Sequence, residues 1–137
     1  MKILFDTNVV LDFLFDRKPF SNLAADLFTK VEKGIIHGYL CATTITTIYY
    51  LAAKVSGKSH SEIYIRNLMS LFEIAPINRA VLESALRANF DDFEDAVISE
   101  SAIHIGASGV VTRNLSDFRK STINLYSPEQ LVKILSR

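Results

Sequence analysis

Apolar residues open the chain as a block, Ile3-Leu4-Phe5, and give way at Asp6 to a spacing of three and four through Val9, Val10, Phe13 and Leu14. This pattern predicts a buried strand over Lys2–Phe5, then a helix from Asn8 to Phe15 that Asp16-Arg17-Lys18-Pro19 breaks. Pro19 is suited to open the next helix, whose stripe of Ala24, Leu27, Phe28 and Val31 runs until Gly34. A second strand is predicted over His37–Cys41. Thr43–Val55 has helical recurrence at Ile45, Ile48, Tyr49 and Ala52, although its β-branched residues favour strands.

Beyond a turn at Gly57-Lys58-Ser59, the helical spacing returns over Ser59–Phe72, and Glu73–Pro76 reads as a third strand. Asn78 can cap a helix to about Ala88. Phe93–Ile105 reads as another helix, ended by Gly106, with strands at Gly109–Thr112 and Asn124–Tyr126. Ser127-Pro128-Glu129-Gln130 combines a cap, a first-turn proline and a capping-box glutamine, so a last helix starts there. Strands alternating with helices predict an α/β fold with a mainly parallel sheet, and the 137 residues suit a single domain over 1–137.

Composition narrows the class without naming a function. The chain is 49% apolar and 22% charged, as in ordinary globular proteins. Fifteen basic residues balance fifteen acidic ones, which argues against strong, non-specific attachment to nucleic acid but leaves a local site open. Cys41 is the single cysteine, so an intrachain disulfide is excluded and a reducing compartment fits. Its apolar neighbours mark it as a buried thiol. Asp6, Asn8 and Asp12 interrupt the apolar opening before it reaches the length of a signal peptide. With no stretch long enough to span a bilayer, a cytoplasmic protein is expected.

Acids stand at the edges of the predicted elements. Asp6 follows the first strand, Asp91-Asp92-Phe93-Glu94-Asp95 opens a helix, and Asn114 and Asp117 follow the strand ending at Thr112. Parallel strands put their carboxyl ends on one edge of the sheet, where α/β proteins bind ligands. Carboxylates gathered there repel one another, and a hard divalent cation such as Mg²⁺ would relieve the repulsion and neutralise a phosphate. Each residue also has a plainer role. Asp6 can cap the following helix, Asp91 and Asp92 can complement a helix dipole, and Asp117 can begin a turn with Ser116. Singly the plainer roles are favoured; jointly, in this order, the acids favour a site.

At four places the chain resembles the PIN-domain family of metal-dependent nucleases, which includes VapC-type toxins. The segments are Leu4–Asp12, Ala42–Leu51, Asp92–Ala96 and Val111–Phe118. The resemblance implies a three-layer α/β/α sandwich and hydrolysis of RNA phosphodiesters with Mg²⁺ or Mn²⁺. By position it implies that Asp6, Asp95 and Asp117 hold the ion with Asp92 beside them. Thr7 and Asn8 become outer residues that orient the ligands and water, and Asn114 falls in the region of the last acid. It further implies a homodimer and an antitoxin protein as partner. The chain departs from the family at about Thr47, where an acid is usual; no Asp or Glu occurs between Glu32 and Glu62. Threonine can hydrogen-bond a water but cannot supply the missing charge.

The remaining candidates are fewer. Arg113 is the cation best placed to meet a substrate phosphate, unless it simply pairs with Asp117. Tyr49 and Tyr50 can stack on bases, but their apolar helix favours packing. His37, His60 and His104 lie outside the motifs, with His104 a packed or surface helix residue. The chief rival to a nuclease is a PIN-type module that binds RNA or protein without cleaving, motivated by Thr47. An aspartyl-phosphate enzyme fits poorly, because Asn8 stands where a second acid would be needed.

Overall fold

The computed structural model describes residues 1–136. Five strands form one fully parallel sheet: β1 (Lys2–Phe5), β2 (His37–Cys41), β3 (Glu73–Ala75), β4 (Gly109–Val111) and β5 (Leu125–Tyr126). Their order is β3-β2-β1-β4-β5, so the first strand lies at the centre and the chain winds outward in both directions. Helices cover both faces, as predicted.

One core cluster joins β1 to α1 (Thr7–Leu14), α2 (Ser21–Glu32), α4 (Lys58–Leu71) and α7 (Pro128–Leu135). Its centre is aromatic. The Phe5 ring meets Phe28 and Phe72 edge-to-face, with centroids 5.9 and 5.0 Å away. The second cluster lies across the sheet, where Leu4, Tyr39 and Val110 pack against α5 (Arg79–Arg87) and α6 (Phe93–His104). Adjacent residues Leu4 and Phe5 therefore serve opposite layers, as strand alternation requires. The unbroken apolar run that opens the chain is the signature of a strand covered on both faces.

Boundaries shift where local chemistry decides them. α3 (Ala42–Ser56) forms despite its threonines and isoleucines, burying Thr44, Ile48 and Ala52 at a helical interval. The expected three-residue turn after it contracts to Gly57, whose φ of +87° favours glycine, and α4 begins at Lys58. Pro19 does not open α2, which starts two residues later at Ser21 after a hydrogen-bonded turn from Arg17 to Phe20. The capping box at Ser127 and Gln130 is present in full. Cys41 is buried, with its sulfur 3.3 Å from Thr43 Oγ1. Among the described residues no helix is long and apolar enough to cross a membrane.

Candidate metal centre

The carboxyl ends of β1 and β4 lie side by side, with Phe5 opposite Val111. Asp6 and Thr112 are the residues that follow, and both are buried. Asp6 is the N-cap of α1, its Oδ1 accepting from the Thr7 amide at 2.8 Å, so the capping role is real. Its other oxygen points elsewhere. Oδ2 accepts from Thr112 Oγ1 at 2.8 Å and from Asn8 Nδ2 at 3.2 Å. Capping thus fixes the carboxylate without excluding a second task.

The remaining acids come from the other layer and from the loop after β4. Asp92 caps α6 by accepting from the Asp95 amide at 3.1 Å. Asp117 lies on a 3₁₀ turn, Leu115–Phe118. Asp91, Asp92, Asp95 and Asp117 line one small pocket of about 150 Å³. Burial, followed by the charges of Asp92, Asp6, Asp117 and Glu94, pushes the Asp95 carboxyl up to about 7. Burial also raises Asp6 against the lowering effect of the Thr112 and Thr7 hydrogen bonds, with Glu94 and Asp117 adding repulsion. Acids far apart in sequence therefore share one field at this edge.

A hydrated Mg²⁺ fits this donor set. All the donors are carboxylate oxygens, and such ions commonly take one or two carboxylates while keeping several waters. Among the described residues, no three His, Cys, Asp or Glu side chains converge closely enough to enclose a metal unaided. Waters or side-chain movement would have to complete the shell.

The expected outer residues fall into place unequally. Asn8 bonds Asp6 directly, whereas Thr7 shares a 2.9 Å hydroxyl contact with Thr44 on α3. It is Thr44, one turn before Thr47, that this side of α3 brings to Thr7; Thr47 is half-buried. Asn114 is exposed, and its backbone amide, not its side chain, bonds Thr112 Oγ1. Arg113 is not paired with Asp117. Its guanidinium grips Asp12 through Nε at 2.6 Å and Nη2 at 3.1 Å, and lies 4.0 Å from the Phe20 ring centroid. Asp91 is likewise neutralised, with Arg119 at 2.9 Å and Lys120 at 3.7 Å holding its carboxyl below the usual range. Tyr50 is exposed on α3, Tyr49 half-buried beside it, and His104 is a surface residue whose Nε2 lies 3.3 Å from Ser84 Oγ.

Two residues were missed as site members in the sequence. Thr112 supplies the hydroxyl that aligns Asp6, and Asp12 supplies the partner for Arg113. A threonine ending an apolar strand beside the acids was the available signal for Thr112. Asp12 carried no such signal, because its partner lies 101 residues away.

A PIN-domain profile matches residues 2–116. Solved structures share the fold over almost the whole chain. FitAcB from Neisseria gonorrhoeae aligns with a TM-score of 0.73 and 20% identity, covering 93% of this chain and 98% of that one. VapBC2 from Rickettsia felis, bound to a promoter DNA fragment, gives 0.70 and 16%, covering 93% and 98%. A toxin–antitoxin complex from Klebsiella pneumoniae gives 0.68 and 24%, covering 92% and 97%. No curated protein matches the chain. The parallel sheet covered by helices on both faces, with acids at its carboxyl edge, defines the class of α/β protein to which the chain belongs. The chain belongs to the PIN-domain family.

Proposed function

We propose that this chain is a metal-dependent ribonuclease that hydrolyses RNA phosphodiester bonds at the Asp6–Asp95–Asp117 edge. The observation that carries the reading is the gathering of acids from β1, α6 and the turn after β4 at one sheet edge, where Asp92, Asp95 and Asp117 share a pocket and burial, with the neighbouring acids adding repulsion, raises Asp95 to about 7. A protein gains nothing in stability from such repulsion, and perturbed acids of this kind concentrate at functional sites.

Asp6, Asp95 and Asp117 would hold Mg²⁺ or Mn²⁺, with Asp92 beside them. Bound there, the cation supplies a Lewis acid that activates water and neutralises charge on the phosphate. The chain's own residues fix the geometry. Thr112 and Asn8 hold one oxygen of Asp6 and the Thr7 amide holds the other, so the carboxylate enters the reaction already oriented. Glu94 adds negative charge nearby and strengthens the demand for a cation.

Complexes with antitoxins among the structural relatives support a further step: the chain acts as the nuclease half of a toxin–antitoxin pair. The proposal includes a homodimer in the cytoplasm; Tyr50 and Val55 stand exposed on α3 and give such a dimer an apolar face. A second reading, a PIN-type module that binds RNA or protein without cleaving, is favoured by the missing acid near Thr47 and by the incomplete ligand set.

RNA cleavage with Mg²⁺, Mn²⁺ or EDTA separates the two. Wild type should cleave with either metal and not in EDTA. Asp6→Asn should lower kcat by more than the roughly 10–100-fold typical of losing an outer partner. Thr47→Glu should raise activity if the departure weakens metal binding. Cleavage that persists in EDTA and in Asp6→Asn would remove the proposed mechanism. Absence of cleavage with RNA binding retained would establish the binding module.

A further inference from the structure

We propose that the cleft beside Arg113 is a binding site for an unpaired nucleobase next to the scissile phosphate. This inference rests on the ribonuclease reading and gives that site its base-recognising half. The cleft has a volume of about 340 Å³ and is lined by Phe20, Leu23, Arg113, Ser127, Pro128 and Glu129. It lies at the low end of ligand-pocket sizes, about 300–1,000 Å³, which suits one flat ring system.

Its position links it to the acids. Thr112 donates to Asp6, and Arg113 is the next residue. The Arg113 amide reaches Asn8 Oδ1 at 3.4 Å, and Asn8 in turn donates to Asp6. The cleft opens on the α1, α2 and α7 side of the sheet edge, while Asp92, Asp95 and Asp117 close in from the α6 side. A strand crossing the edge with its phosphate at the acids would set a neighbouring base at the cleft.

Chemistry favours a base over a phosphate there. Asp12 is 1% exposed and balances the Arg113 charge through two hydrogen bonds. Glu129 on the rim is paired with Lys133 at 3.4 Å, so the described residues lining the cleft offer a phosphate no unpaired cation. The apolar walls are Phe20, Leu23 and Pro128, and Phe20 remains 38% exposed although Arg113 covers its ring. Aromatic rings paired with arginine are the usual platform for unpaired bases. Among the described residues, Arg113 Nη1 makes no protein hydrogen bond, so donors remain for a base edge, with the Glu129 carboxylate as an acceptor.

The test is binding of fluorescein-labelled single-stranded RNA decamers, one of mixed sequence and one of abasic ribose phosphates. The full chain is used with Ca²⁺ replacing Mg²⁺, and cleavage is checked on a gel. Phe20→Ala should weaken the mixed decamer about tenfold, within the range for loss of one aromatic stack, and leave the abasic decamer unchanged. Phe20→Tyr should restore binding. Phe20→Leu, which keeps the apolar wall but not the ring, should act like Phe20→Ala. Equal weakening of both decamers, unchanged affinity in the variants, or no RNA binding by wild type would overturn the proposal. Cleavage by wild type with variant affinities unchanged removes the base site and keeps the nuclease. Base-dependent binding without cleavage under Mg²⁺ or Mn²⁺ does the reverse.

Discussion

A single carboxylate can cap a helix and still have an oxygen for another task, and Asp6 gives one oxygen to the Thr7 amide and the other to Thr112 and Asn8. The residue was visible in the sequence as an acid ending an apolar block. Its setting was not, since Thr112 lies 106 residues away and only the adjacency of β1 and β4 joins them. Thr112→Val keeps the shape and removes the hydroxyl that Asp6 and the Asn114 amide both use, so it should lower the thermal midpoint as well as cleavage, the latter about 10–100-fold. A lowered midpoint with cleavage unchanged would assign Thr112 to the core instead. The acids also set a pH dependence in EDTA. Asp95 and Asp6 have folded pKa values above the unfolded value of 3.8, so the folded chain binds more protons than the unfolded chain between about 3.8 and 7. Their stabilisation is full below 3.8 and is lost as pH rises through the folded values. Asp16 and Asp91 are lowered, and their opposite effect falls below 3.8, outside this window. The thermal midpoint should therefore fall from pH 5 to pH 8 in EDTA. Mg²⁺ should recover the loss at pH 8, and Asp95→Asn should flatten the slope. A midpoint that rises over that interval in EDTA would contradict the shared acidic field.

At the scale of elements, periodicity located what packing later confirmed, and it failed where a neighbour set the boundary. β2 and β1 have the predicted limits because their apolar runs are buried on both faces. α3 overrode its β-branched residues because Thr44, Ile48 and Ala52 face inward at helical spacing. The start of α2 was read from Pro19, whereas the helix begins after Phe20, whose ring lies against Arg113, a partner from beyond β4. The Asp12–Arg113 pair ties α1 to that loop, and cutting one side leaves a charge in a poorly solvated place. Asp12→Ala should cost about 3 kcal/mol in urea unfolding, near the lower end for a broken buried pair because Arg113 keeps some solvent access. A loss under about 1 kcal/mol would class the pair with surface bridges. Gly38 on β2 makes a second element-scale claim. A Cβ there would meet the Phe72 ring at 2.6 Å and Val31 at 3.0 Å, so Gly38→Ala must displace the aromatic cluster. Overpacking of this kind costs about 1–3 kcal/mol. An unchanged midpoint would mean that the Phe72 ring yields freely.

For the whole molecule, a balanced charge is instructive once the cations are located. Near the acidic edge, Arg113 is bound to Asp12, and Arg119 and Lys120 both lean on Asp91. Few positive charges are therefore free to meet phosphates, and the acids themselves oppose an RNA backbone until a cation is present. On the proposed function, affinity for RNA would come from the metal, from contacts with bases and from a small number of phosphate pairs. If about two phosphates are neutralised by side chains, the logarithm of the binding constant should fall with the logarithm of KCl at a slope of about −1.4, taking roughly −0.7 per phosphate for single strands. That amounts to about a sevenfold loss between 50 and 200 mM KCl. The measurement is anisotropy of a labelled single-stranded RNA on the wild-type chain at fixed Ca²⁺, with cleavage checked on a gel. A slope steeper than about −3 would mean that about four or more phosphates are neutralised, so that basic residues away from the acidic edge also engage the strand. A shallow slope with tight binding would shift the weight of recognition to the bases, which is the balance that an electrically neutral chain with an acidic edge requires.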